Sequence, residues 1–94
     1  MQFVMICEDK PDSEPLRLKT REAHLSFIGK QTGMIKLAGP MLSDDGERMI
    51  GSVFIIEAES RAAVEAMNAN DPYTLAGLFT NVVIRPFRQT IPAP

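Results

Sequence analysis

Residues 53–56 read Val-Phe-Ile-Ile, and residues 3–6 and 82–84 are likewise apolar at every position. A strand presents successive side chains to opposite faces, so each of these runs needs apolar cover on both sides of a sheet. Helical periodicity recurs in only two places, residues 16–32 and the segment after Ser60 that carries Ala63, Val64 and Met67. Two helices cover one face. The other face needs something else, and a second copy of the chain related by two-fold symmetry is the simplest cover.

Turn signals divide the chain into elements. Residues 3–7 form a buried strand bounded by Glu8, Asp9, Lys10 and Pro11. Ser13 and Pro15 are placed to cap and open the first helix, which Gly33 closes. A second strand, residues 34–42, is interrupted by Gly39-Pro40, and Ser43-Asp44-Asp45-Gly46 turns it into a third at residues 49–58. Ser60 caps the second helix, and a turn opened by Asp71-Pro72 leads through Leu75, Leu78 and Phe79 to a last strand at residues 81–87. The order βαββαβ predicts an α+β, ferredoxin-like fold whose antiparallel sheet runs 4-1-3-2. Proline cannot donate to a ladder, and the two strand prolines, Pro40 and Pro86, fall in the strands expected at the edges.

Ninety-four residues predict a single domain spanning 1–94, and 45% apolar with 23% charged residues is the balance of an ordinary globular protein. A net charge of -2 speaks against a nucleic-acid surface, which carries concentrated positive charge. No apolar run approaches the roughly 20 residues of a membrane span, and Met1-Gln2-Phe3-Val4 lacks the features of a signal peptide, so the expected address is cytoplasmic. Cys7 is the sole cysteine and sits in an apolar strand; it reads as an inert core residue. Asp44, Asp45 and Glu47 have the oxygen donors a cation needs, but they fall in a short hairpin turn and read as its solvated tip, leaving no metal site.

On a helical wheel, Lys19, Glu22, Ser26 and Lys30 gather on the water side of the first helix. Arg17, Arg21 and His24 fall opposite, flanked by Leu16, Ala23 and Phe27 on one side and Leu18, Leu25 and Ile28 on the other. Three basic or titratable groups thus point at the sheet, where an unpaired charge is expensive. A pocket accounts for them. His24 is also the only histidine, the side chain suited to proton transfer near neutral pH, so acid/base chemistry or anion binding is expected. Structural readings compete with each of these: a hydrogen-bonded core histidine, Arg17 and Arg21 paired with Glu14 or Glu8, Asp71 as a helix cap, and close strand packing at Ser52, Gly39 and Gly51.

Arg17-Leu18, Arg21 with His24-Leu25, Ala38-Gly39-Pro40-Met41, Gly51-Ser52, Glu59-Ser60, Asp71-Pro72-Tyr73, Ala76-Gly77 and Pro86-Phe87 follow one another in an order and spacing that resemble the YCII-related (YciI-like) family. The likeness covers nearly the whole chain; one difference is a short turn between strands two and three, where other members carry a longer insertion. It implies a dimeric α+β barrel with a His-Asp pair in the active site, mapping to His24 and Asp71. The activity associated with the family is cofactor-free dehydrochlorination of a chlorinated hydroxyhydroquinone. On that reading His24 takes a proton from a ring hydroxyl, Asp71 fixes its tautomer, and Arg17, Arg21, Ser52, Tyr73 and Pro40 contact the substrate. The same pair would serve an isomerase or another lyase on a similar ring, and a non-catalytic ligand-binding dimer is the reading from a different class.

Overall fold

The computed structural model describes residues 1–94. Strands β1 (Gln2–Asp9), β2 (Ile35–Leu42), β3 (Met49–Glu57) and β4 (Phe79–Phe87) form one antiparallel sheet in the order β2-β3-β1-β4, with helices α1 (Glu14–Gly29), α2 (Arg61–Ala69) and the single turn α3 (Pro72–Leu75). This is the ferredoxin-like arrangement, with Pro40 and Pro86 on the two edge strands. β2 runs unbroken through Gly39-Pro40; its register shifts lie instead at Ile35/Leu37 and Met41/Leu42. An edge strand has backbone groups outside the ladder, so a missing N–H need not interrupt it.

The two faces differ as the alternation requires. Phe3, Met5 and Cys7 of β1, Phe54 and Ile56 of β3 and Ile84 of β4 pack with Val64 and Met67 of α2 into one buried core. Side chains opposed across the ladder share a face, which places Val4, Ile6, Leu37, Gly39, Val53, Ile55 and Val83 on the other side, where none is buried.

Helix α1 begins at Glu14 and ends at Gly29, earlier at both ends than the wheel suggests. Ser13 occupies the N-cap position but does not cap; its hydroxyl donates to Pro11 O at 3.3 Å. The last turn tightens into bonds from Lys30 N–H to Phe27 O and from Gln31 N–H to Ile28 O, so the helix stops before Gly33, which takes a left-handed φ of 86° in the following turn. Leu18 and Leu25 are exposed, and the only buried residues of α1 are Arg17 and His24. A helix anchored through two polar side chains must satisfy both of them inside.

Candidate active site

Asp71 ends the linker after α2 with an extended backbone (φ -65°, ψ 129°) and caps α3, its Oδ1 accepting the Tyr73 N–H at 2.9 Å. The same Oδ1 lies 2.8 Å from His24 Nδ1. One carboxylate oxygen, with two lone pairs, therefore takes both bonds. The pair is buried, Asp71 at 2% and His24 at 8% exposure. An ionised carboxylate only accepts, so Nδ1 carries the proton and the lone pair of a neutral imidazole stands on Nε2.

Tyr73 stacks on the imidazole with centroids 3.9 Å apart and planes at 13°, while Phe54 meets it edge-on at 6.4 Å. The Arg17 guanidinium sits 4.7 Å from the centre of the same tyrosine ring. Burial pushes the Tyr73 phenol above its usual value against the lowering pull of Arg17. The tyrosine thus both packs in the core, at 2% exposure, and lines the cavity beside His24.

That cavity has a volume of about 220 Å³, between α1, α3 and strands β2 and β3. Arg17, Arg21, His24, Pro40, Ser52 and Tyr73 all border it, with Phe54, Leu25 and Ile28 supplying apolar wall. Asp71 stands behind the imidazole rather than in the lining. Gly39, also on the rim, has open space where a Cβ would stand, so tight packing does not explain it. Gly51 is the opposite case: a Cβ there would come within 2.4 Å of Cys7 O.

The two arginines part company. Arg17 pairs with neither Glu14 nor Glu8; its Nε and Nη2 grip Asp9 at 2.7 and 2.9 Å, and Nη2 also donates to Ser52 Oγ at 2.8 Å. Burial opposes the charge on Arg17, but the hydrogen bond and charge of Asp9 outweigh it and hold the guanidinium above its ordinary value. Arg21 is exposed at the mouth and forms no ion pair. Glu14 is occupied elsewhere, accepting the Met49 N–H at 2.9 Å.

Asp9 is the residue the sequence reading missed. Sequence pattern places it in the loop after a strand ending at Cys7, whereas β1 continues to Asp9. The signal was there: Phe3, Met5, Cys7 and Asp9 share one parity, so the stripe facing the helices ends in a carboxylate. Cys7 is fully buried, and desolvation pushes its thiol up to about 12, with the charge of Asp71 adding to it. Such a thiol is inert near neutral pH. At the hairpin tip, Asp45 accepts from the Ser43 hydroxyl at 2.6 Å and the Glu47 N–H at 3.0 Å, bonds that hold its carboxyl below the usual range and organise a solvated turn.

A buried carboxylate–imidazole pair opening on a small, half-apolar cavity in a ferredoxin-like sheet has the chemistry to transfer a proton or to hold a small polar ring. The chain belongs to the YCII-related domain family, whose model matches residues 1–88. It is 35% identical to Protein YciI of Escherichia coli O6:H1 over 95% of this chain and 98% of that one, and 31% identical to an uncharacterised protein of Haemophilus influenzae over the same shares. Among solved structures, 5-chloro-2-hydroxyhydroquinone dehydrochlorinase (TftG) of Burkholderia phenoliruptrix, in complex with 2,5-dihydroxybenzoquinone, superposes with a TM-score of 0.88 over 100% of both chains at 32% identity. An antibiotic biosynthesis monooxygenase matches at 0.51 and 16% identity, a likeness of fold alone. No helix is long and apolar enough to cross a membrane.

Proposed function

We infer that the protein is an acid/base lyase that eliminates HCl from a small chlorinated, polyhydroxylated aromatic ring, with His24 as the proton-transfer group and Asp71 as its partner. The observation that carries the reading is the 2.8 Å bond from Nδ1 to Asp71, which leaves Nε2 for the cavity that His24 lines. The likeness to a dehydrochlorinase over the full chain supports the reaction class.

In this reaction Nε2 takes the proton of a ring hydroxyl and returns it to the carbon bearing chlorine, which becomes tetrahedral as a C=O forms. A second hydroxyl then gives up its proton to Nε2, its oxygen pair forms the second C=O, and the C–Cl pair leaves as chloride. The net change is loss of HCl, which balances without an oxidant or reductant. Asp71 stabilises the imidazolium that forms twice along the way, and Arg21 supplies positive charge at the mouth for the phenolate and the departing anion. Phe54, Leu25 and Pro40 exclude water around the ring.

The experiment is chloride release from 5-chloro-2-hydroxyhydroquinone. The native protein releases chloride, His24→Ala loses roughly a hundredfold or more, and Asp71→Asn, which keeps an acceptor for the Tyr73 N–H, falls by about tenfold or more. Full activity in His24→Ala removes the base from His24. We read the open sheet face, with Val4, Ile6, Leu37, Val53, Ile55 and Val83 unburied, as the surface on which two copies pack. Light scattering should give twice the 10.4 kDa chain mass; a folded, soluble monomer at micromolar concentration overturns that reading.

A further inference from the structure

Ser52 Oγ receives Arg17 Nη2 at 2.8 Å, and Arg17 is in turn fixed by two bonds to Asp9. All three side chains are nearly enclosed: Arg17 and Ser52 are each 3% exposed, and the Asp9 carboxylate is 4% exposed. A buried ion pair of this kind costs desolvation that its own attraction barely returns, so its presence beside the cavity asks for a reason other than stability. The reason lies in what it does to Ser52. A hydroxyl has one hydrogen to donate and two lone pairs, and here a charged donor occupies one of the pairs and sets the orientation of the group. No protein atom accepts the hydroxyl hydrogen of Ser52, and the space it borders is the cavity shared with His24 and Arg21. Receiving a bond from a cation also polarises the O–H toward donation.

We propose that Asp9, acting through Arg17, orients and polarises Ser52 as a hydrogen-bond donor to a negatively charged oxygen of the ligand, which makes the site favour an oxyanion at that point. Asp9 and Arg17 are positioning residues: Arg17, bound on both sides, holds the hydroxyl's orientation instead of meeting the ligand as a free cation. Arg21 is the cation left free to do that. A phenolate or enolate oxygen finds a polarised donor already oriented and takes a stronger bond from it than a neutral ether oxygen does. The proposal rests on the reading of the cavity as the substrate site, but not on His24 being the base.

The test compares two probes with the same ring, anionic 2,5-dihydroxybenzoquinone and neutral 2,5-dimethoxybenzoquinone, by equilibrium titration of the intact protein. The native protein prefers the anion. Ser52→Ala should cut affinity for the anion by about tenfold or more, the usual size of a lost bond to a charged group, and leave the neutral probe nearly unchanged. The double variant Asp9→Asn with Arg17→Met, which removes the ion pair as a unit and keeps the serine, should lose the same preference; it also decides the matter if Ser52→Ala does not fold. A merely structural serine would lower both affinities together or neither, and either result overturns the proposal, as does a native protein that binds neither probe or shows no preference. Anion selectivity lost in Ser52→Ala without any chloride release by the native protein would sink the elimination reaction and leave this inference standing.

Discussion

Tyr73 and His24 lie face to face, 3.9 Å between ring centroids and 13° between planes, and Asp71 Oδ1 is bonded to both: to the Tyr73 backbone N–H and to His24 Nδ1. The cap of a four-residue helix therefore fixes the height of the tyrosine ring, and that ring fixes the plane of the imidazole. Asp71-Pro72-Tyr73 acts as one unit that orients a side chain 47 residues earlier in the chain.

The stack makes the ring, rather than its hydroxyl, the part that matters for His24. Tyr73→Phe should keep the fold and most of the turnover. Tyr73→Ala should lose about 3–5 kcal/mol of stability by emptying a buried site, and the turnover of whatever remains folded should fall at least tenfold. Thermal denaturation and chloride release read the two effects separately; a Tyr73→Phe variant as crippled as Tyr73→Ala would move the function from the ring to the hydroxyl.

Arg17 and Arg21 should give opposite phenotypes. Arg17→Ala leaves the buried Asp9 carboxylate without a partner and should cost about 3–5 kcal/mol in a denaturant titration. Arg21→Ala, at an exposed side chain without an ion pair, should change stability by less than about 0.5 kcal/mol while raising the Michaelis constant for an anionic substrate. Equal destabilisation by the two would mean that Arg21 has a structural partner in solution.

Gly51→Ala is expected to destabilise by about 1–3 kcal/mol, because its Cβ would fall 2.4 Å from the carbonyl oxygen of Cys7, a backbone atom in the paired strand that cannot swing aside. Gly39→Ala, with nothing within 4 Å, serves as the control. The comparison is of denaturation midpoints, and equal midpoints for the two variants would contradict the close approach of β1 to β3.

Alkali should weaken the fold through Cys7. In the unfolded chain the thiol ionises near 9.0, whereas burial holds it protonated to about 12 in the folded one. Above pH 9 the folded state therefore binds more protons than the unfolded state, so stability is fully present below that pH and falls as pH rises, on the order of 1 kcal/mol per pH unit. The Tyr73 phenol, also raised, acts in the same direction. Cys7→Ala should flatten the decline between pH 9 and 10.5; an unchanged slope would mean that the thiol is not what the alkaline loss reports.

Periodicity and turn signals together determined the order of the strands and the two longer helices, the sheet order and the edge positions of Pro40 and Pro86, because repeats, turns and the missing proline donor are properties of neighbouring residues; the single turn α3 read as a plain turn. Periodicity also turned Arg17, Arg21 and His24 inward on α1; Arg17 and His24 are the helix's buried residues, whereas Arg21 borders the cavity but stays exposed. It misjudged the ends of α1, since these depend on how far the sheet extends beneath the helix. The partner of Arg17 was decided by tertiary structure: Glu14 and Glu8 are nearby in sequence, but only Asp9, carried by the last residue of β1 to the helix-facing side, meets the guanidinium within the fold. The double use of Asp71 Oδ1 was decided there too. A sequence shows which side chains can ionise or donate, but the choice among several possible partners is a matter of distances of a few ångströms, and those exist only once β1, α1 and α3 have packed together.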